Sequence, residues 1–258
     1  MFRTLGLSSD ALVMEGASLF TDHRVYIEQR TPKEPDYWFG NCLILRDTSL
    51  APQEAVSLFQ TSFPEARHRC LKWDLAAAPD LAPFVDMGFE IEVSEILNLT
   101  GPLRRPALPS GLVLRPLESD EDWALLEALA QEIGVEDGYE PESHLRFLRK
   151  RYQRRRHQVR AGKAAWFGVF DGAVLSASMG LFHSDRILRF QDVQTRRSHR
   201  RLGICAALLA HVCSWGQSLS PGALPVIVAD AGKPAGRIYR RSGFALCERV
   251  GAVLRPAH

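Results

Sequence analysis

HRRLGIC occupies residues 199–205 and sits between two segments of different character. ILRFQDVQT (187–195) before it reads as a strand, and AALLAHVCSW (206–215) after it reads as a buried helix. A helix start exposes unpaired N–H groups and the positive end of the helix dipole, so it prefers acidic neighbours. Here it carries Arg200 and Arg201 instead, with Gly203 inside the first turn. A bound diphosphate would satisfy the N–H groups and the guanidinium groups together. Gly203 would let it approach the backbone where no Cβ intervenes. Taken alone, the seven residues suit a solvent-facing helix start with a packing glycine equally well.

Working outward, a break lies at GPLRRPALPSG (101–111), where three prolines and two glycines end any helix or central strand. It divides the chain into expected domains 1–103 and 111–258 joined by a linker at 104–110. After the break the pattern predicts a strand at 112–116, a helix at 122–131 with Ser119 as N-cap, and a helix at 142–156. Strands follow at 164–170 and 173–182, joined by the Asp171-Gly172 turn, and then a strand at 187–195. A helix at 201–216, a strand at 224–229, a helix at 234–241 and a strand at 244–253 complete a mixed α/β domain. The first half predicts strands at 24–30, 38–45, 68–74 and 89–99, with helices at 53–61 and 79–87. Its DMGFE (86–90) echoes RSGFA (241–245).

The pattern Arg200-x-x-Gly203-x-Cys205, after a strand ending Val193-Gln194-Thr195, resembles the acetyl-CoA signature of the GNAT (Gcn5-related N-acetyltransferase) family. Tyr239-x-x-x-Gly243-Phe244 resembles that family's second motif, and the strand and helix order of 111–258 agrees. The resemblance implies the acyl-CoA N-acyltransferase fold, with acetyl-CoA as co-substrate and direct transfer to a primary amine. It implies that Val193, Gln194 and Thr195 line the pantetheine arm. Backbone amides of Arg201, Leu202, Gly203, Ile204, Cys205 and Ala206 would cradle the pyrophosphate, and Arg200 would close the loop. Tyr239 would protonate the departing thiolate. Residues 38–100 resemble the later half of the same domain without either motif, implying a tandem whose first copy is degenerate, non-catalytic and unable to bind CoA.

Three departures stand out. Cys205 replaces a small Gly or Ala; a thiol at a helix start has a lowered pKa in principle, but an inert buried cysteine is the expected reading. Gly232 stands where the family often has Asn, so either Asp230 substitutes for it or that hydrogen bond is absent. The usual positions of the general base hold Gln191 and Arg189, while strand alternation turns Asp192 to the opposite face. A water chain, His183 or an acid in EDGYE (136–140) is left for that role.

Composition narrows the alternatives. The 258 residues hold 32 basic and 30 acidic side chains, a net charge of +2 that disfavours nucleic acid as the partner. RFLRKRYQRRRHQVR (146–160) carries eight Arg or Lys, but ten Asp or Glu at 118–142 stand ready to pair with it. An acyl-CoA-binding protein without turnover is the second reading, and a nucleic-acid binder using 146–160 the third. The five cysteines form no CxxC or Cys/His cluster, so neither a metal nor a disulfide framework is expected. No apolar run approaches the ~18 residues of a membrane span, and the start of the chain carries Asp10 and Glu15 where a targeting segment needs an apolar core. A cytoplasmic protein acting on a small-molecule or peptide amine is expected, and a homodimer is compatible with the sequence.

Overall fold

A computed structural model describes residues 2–256. The chain forms two compact units: residues 1–97, 228–236 and 246–258 in one, and 98–227 with 237–245 in the other. The proline-rich stretch lies close to the first crossing. The second unit is not continuous in sequence, because the chain's last strand packs with the first.

The first unit opens with α1 (Leu5–Val13) and β1 (Leu19–Asp22), two elements the sequence pattern does not announce. Tertiary partners define α1. Asp74 accepts from the Arg3 and Thr4 amides at 2.8 and 2.9 Å, and Glu248 accepts from the Leu5 and Gly6 amides at 2.9 and 3.0 Å. The unit continues with β2 (Tyr26–Arg30), β3 (Cys42–Leu45), α2 (Pro52–Ser62), β4 (Arg69–Trp73), α3 (Ala82–Val85) and β5 (Glu90–Leu99). The strand expected at 38–45 is a 3-10 turn, Trp38–Gly40, followed by the shorter β3. The helix expected at 79–87 shrinks to four residues between Pro79 and Asp86. Leu43, Leu71, Trp73, Phe59, Phe84 and Phe89 pack on one sheet face with the α2 side chains.

The second unit contains β6 (Leu112–Pro116), α4 (Asp120–Glu136), α5 (Pro141–Arg160), β7 (Ala164–Asp171), β8 (Val174–His183), β9 (Ile187–Thr195) and α6 (Ile204–Leu219). β10 (Leu224–Asp230) starts in it, α7 (Ala235–Arg241) ends in it, and β11 (Phe244–Arg255) begins there. Strands run in the order β6-β7-β8-β9-β10, antiparallel except for the parallel β9–β10 pair. In the first unit the order is β1-β2-β3-β4-β11, with β11 antiparallel to β4. Mixed pairing and helices on both faces of β7–β9 are the mixed α/β class expected.

Ser119 caps α4 through the Asp122 amide at 3.1 Å, as read from the sequence. α4 runs past the expected end because Gly134 leaves room for the His144 ring, which a Cβ would meet at 2.1 Å. On one face of β7–β9, Trp123 and Tyr152 from α4 and α5 pack beside Trp166 and Phe182. On the other, α6 packs Trp215 and His211 against Phe167.

Candidate functional site

The chain leaves β9 at Thr195, makes a 3-10 turn at Arg197–His199 and enters α6 at Ile204. Arg201 and Gly203 both take left-handed backbone, with φ of 68° and 79°. This conformation is routine for glycine and strained for arginine. Alternation of this kind turns successive amides to one side. Among the described residues, none of the amides of Arg201, Leu202, Gly203, Ile204, Cys205 and Ala206 donates to a backbone or side-chain acceptor. A Cβ on Gly203 would meet nothing within 4 Å, so the space before the loop is open.

The arginines around the loop divide into two kinds. Arg200 donates to the Thr195 carbonyl at 3.0 Å and to Glu136 at 2.6 Å, which draws the end of β9 and the start of α6 together. Arg196 pairs with Glu132 and donates to the Leu175 carbonyl. Glu132 and Glu136 lie one turn apart on α4, so that helix braces the loop from outside. Arg197 and Arg201 are exposed and have no acidic partner among the described residues. The basic character of the helix start is therefore half structural, which the sequence alone does not separate. Burial pushes the Cys205 thiol up to about 11, opposite to the lowering a helix start can give, so this sulfur is not activated.

Asp192 does not point where strand alternation placed it. Ser178 pairs with Gln194 and Gly180 with Gln191, so Met179 alone faces two residues, Asp192 and Val193. The extra residue is a β-bulge, with Asp192 at φ 50°. A bulge resets which face each later side chain occupies. The Asp192 carboxylate, 5% exposed, thereby pairs with Arg151 of α5 and accepts from Gln191 Nε2 at 3.1 Å. Its Oδ2 is buried with no hydrogen-bond partner, as are Gln194 Oε1 and Ser178 Oγ on the neighbouring rungs. Gln194 Nε2 lies 3.5 Å from the Tyr152 hydroxyl, whose proton is held firmly by burial and by the Asp192 charge. Buried polar atoms normally find partners, so three on adjoining rungs mark a place built for a polar ligand or solvent.

The other expected acid–base groups lie elsewhere. His183 packs its edge on Trp215 of α6, about 12 Å along β8 from the bulge at ~3.3 Å per residue, on the opposite face. Glu136 is held by Arg200. Glu140 caps α5, and hydrogen bonds from Ser143 and then the Glu142 amide hold its carboxyl down to about 2. Arg189 is buried and donates to the Phe190 carbonyl. Near Gly232, Asp230 offers its carbonyl to the Lys233 amide. Tyr239 is 4% exposed on α7. The helix ends at Gly243, φ 106°, where a Cβ would lie 2.6 Å from the Pro102 carbonyl. Phe244 then packs on Phe190 at 5.9 Å, which brings the end of α7 to β9.

The basic helix is largely paired. Arg149 meets Glu127 at 3.2 Å, and Arg156 meets Asp120, both acids on α4. Among the described residues no group of three metal-ligating side chains occurs, and no helix is long and apolar enough to cross a membrane.

No family model and no curated protein matches the chain. Solved structures do. A conserved protein of unknown function from Staphylococcus epidermidis superposes with a TM-score of 0.75 at 12% identity, covering 95% of this chain and 96% of its own. A GCN5-related N-acetyltransferase from Kribbella flavida gives 0.64 at 19% identity, over 98% of this chain and 94% of its own. A tandem GNAT protein from the clavulanic acid biosynthesis pathway gives 0.59 at 14% identity, over 94% and 84%. The chain has the fold of GNAT acetyltransferases, as the sequence resemblance implied.

Proposed function

We propose that the chain is an N-acetyltransferase that passes the acetyl group of acetyl-CoA directly to a primary amine of a small molecule or peptide, in the cytoplasm. The observation that carries this reading is the run of unpartnered amides at 201–206 beside a bulged strand. The amides fit a pyrophosphate, Arg201 adds charge, and Arg200 holds the loop closed as a positioning residue. Val193, Gln194 and Thr195 follow the bulge and offer a strand edge to the pantetheine arm. In this reading the amine nitrogen attacks the thioester carbonyl, Asp192 Oδ2 receives the proton it sheds, and Tyr239 returns one to the thiolate sulfur.

Among its described residues the first unit shows no comparable loop. There α2 starts at Pro52, which has no N–H, and Glu54 reaches back to the Ala51 amide at 2.8 Å. Its helix start is closed by its own residues, which supports a unit that binds no CoA. Release of free CoA on mixing the chain, acetyl-CoA and a panel of amines tests the activity. Acetylated amine, found by mass, is the expected product. Binding of acetyl-CoA with no product from any amine would favour the non-catalytic alternative.

A further inference from the structure

Two arginine–aspartate pairs of the second unit hold their carboxylates in different ways. Arg115 takes Asp122 with both arms, Nη1 to Oδ2 at 2.7 Å and Nη2 to Oδ1 at 2.6 Å, and the amides of Glu118 and Ser119 also donate to Oδ2. Both oxygens are used, the bidentate arrangement that arginine favours. Arg151 Nη2 instead meets Oδ1 of Asp192, and Gln191 Nε2 donates to that same oxygen at 3.1 Å. Oδ2 is left buried with no hydrogen-bond partner. The Asp192 pair is no more exposed than the Asp122 pair, so solvent does not account for the difference.

Arg151 is itself held in place. Phe147 stands one turn earlier on α5, and its ring centre lies 5.6 Å from the guanidinium carbon. His144 stacks on Phe147 at 6.2 Å and on Tyr139 at 4.8 Å, and its ring fills the space above Gly134 of α4. The row Gly134, His144, Phe147, Arg151 carries the packing of the two helices to the carboxylate. Arg149 and Arg156 of the same helix reach acids on α4, whereas Arg151 reaches across to the sheet. On the sheet side Asp192 sits in the bulge at φ 50°, backbone that aspartate tolerates better than most residues. The carboxylate is therefore fixed from both ends, by its own backbone and by the arginine.

We infer that Arg151 is a positioning residue for the transfer: with Gln191 it fixes Asp192 through Oδ1 and presents Oδ2 alone to the incoming amine. The role rests on the reading of Asp192 as the group that receives the amine's proton. The positive charge beside Oδ1 also favours the ionised carboxylate, so Asp192 stays ready to accept a proton to lower pH than an unpaired aspartate. The other charged or titratable groups on this face are Tyr152 and Arg155 of α5 and Arg189 of β9. From α4 comes Glu132, which pairs with Arg196.

The test compares wild type with Arg151→Met and Arg151→Lys in the pH profile of kcat. Their acetyl-CoA affinity should stay at the wild-type value. Arg151→Met should lower kcat by about tenfold to a hundredfold, as a misplaced reacting group does. It should also move the acid limb of the profile up by about one pH unit, because the charge that favoured the carboxylate is gone. Arg151→Lys keeps the charge without the planar fork, so it should lose rate while the limb stays where it is in wild type. A merely structural arginine would cost rate and leave the limb unmoved, so an Arg151→Met enzyme with the wild-type limb overturns the proposal. Should Arg151→Met fail to fold, Arg151→Gln takes its place. Wild-type turnover by Asp192→Asn would overturn the reading of Asp192 itself, and the role of Arg151 with it. Carbon-13 NMR titration of the aspartate carboxyls, with Asp192→Asn for assignment, reads the same shift without turnover. A higher Asp192 midpoint in Arg151→Met is expected, and an unchanged one overturns the proposal.

Discussion

Replacing Gly203 by alanine separates the loop's two costs. The residue has a φ of 79°, and a Cβ there would meet nothing within 4 Å. The free protein therefore loses stability only through backbone strain, about 1–2 kcal/mol for an L-residue in this region. At this chain length that lowers Tm by about 2–8 °C. Strain of this kind is present with and without ligand, so it cancels from the affinity. Any loss of acetyl-CoA binding then measures the ligand's approach to the new methyl group. Displacing a pyrophosphate from even one charge-assisted amide bond costs about 1.5–3 kcal/mol, or roughly tenfold to a hundredfold in Kd. Calorimetric titration and thermal melting on the same preparations read the two effects separately. If Gly203→Ala melts low but binds acetyl-CoA within twofold of wild type, no phosphate sits against residue 203.

Asp192→Asn should lower transfer by about 10²–10⁴ while leaving acetyl-CoA affinity near wild type, as loss of one acid–base group does; equal rates would remove Asp192 from the chemistry. Tyr239→Phe should lower kcat over the same approximate range of 10²–10⁴, and a turnover within twofold of wild type would reduce Tyr239 to a packing role. The double change of Glu132 and Glu136 to Gln should weaken acetyl-CoA binding by about threefold to tenfold by calorimetry, since partly exposed pairs contribute up to ~1 kcal/mol each; affinity equal to wild type would remove the brace from the account. Asp122, buried and hydrogen-bonded by Arg115 and the amides of Glu118 and Ser119, has its carboxyl held down to about 2. Its folded value lies below its unfolded one. The stabilisation is therefore full above the unfolded value, about 4, and is lost as pH falls through about 2; it amounts to about 2 kcal/mol. Denaturant titrations at neutral and acid pH, with Asp122→Asn as control, check this.

The second unit was legible because its signals are local. Ser119 capping α4, the Asp171-Gly172 turn and Gly203 at the start of α6 are each set by a few neighbouring residues. Elements defined by distant partners were not. The start of α1 depends on Asp74 and Glu248, far along the chain, and the strand pairing of β11 with β4 leaves no mark in either segment. The loop motif identified Arg200, Arg201 and Gly203 but not which arginines are already spent on Glu132 and Glu136. Asp192 was missed for a sharper reason. Alternation is the correct rule for a regular strand, and a single bulged residue inverts it. Nothing in ILRFQDVQT (187–195) marks the bulge, because it arises from the pairing with β8.

The first measurement to make is calorimetric titration of acetyl-CoA into protein shown to carry no co-purified CoA. Saturable binding at one site per chain, lost when Gly203 is replaced by valine, is the predicted result. An absence of binding to the verified ligand-free wild type would contradict the reading of residues 201–206 as a pyrophosphate cradle, and with it the acetyltransferase function.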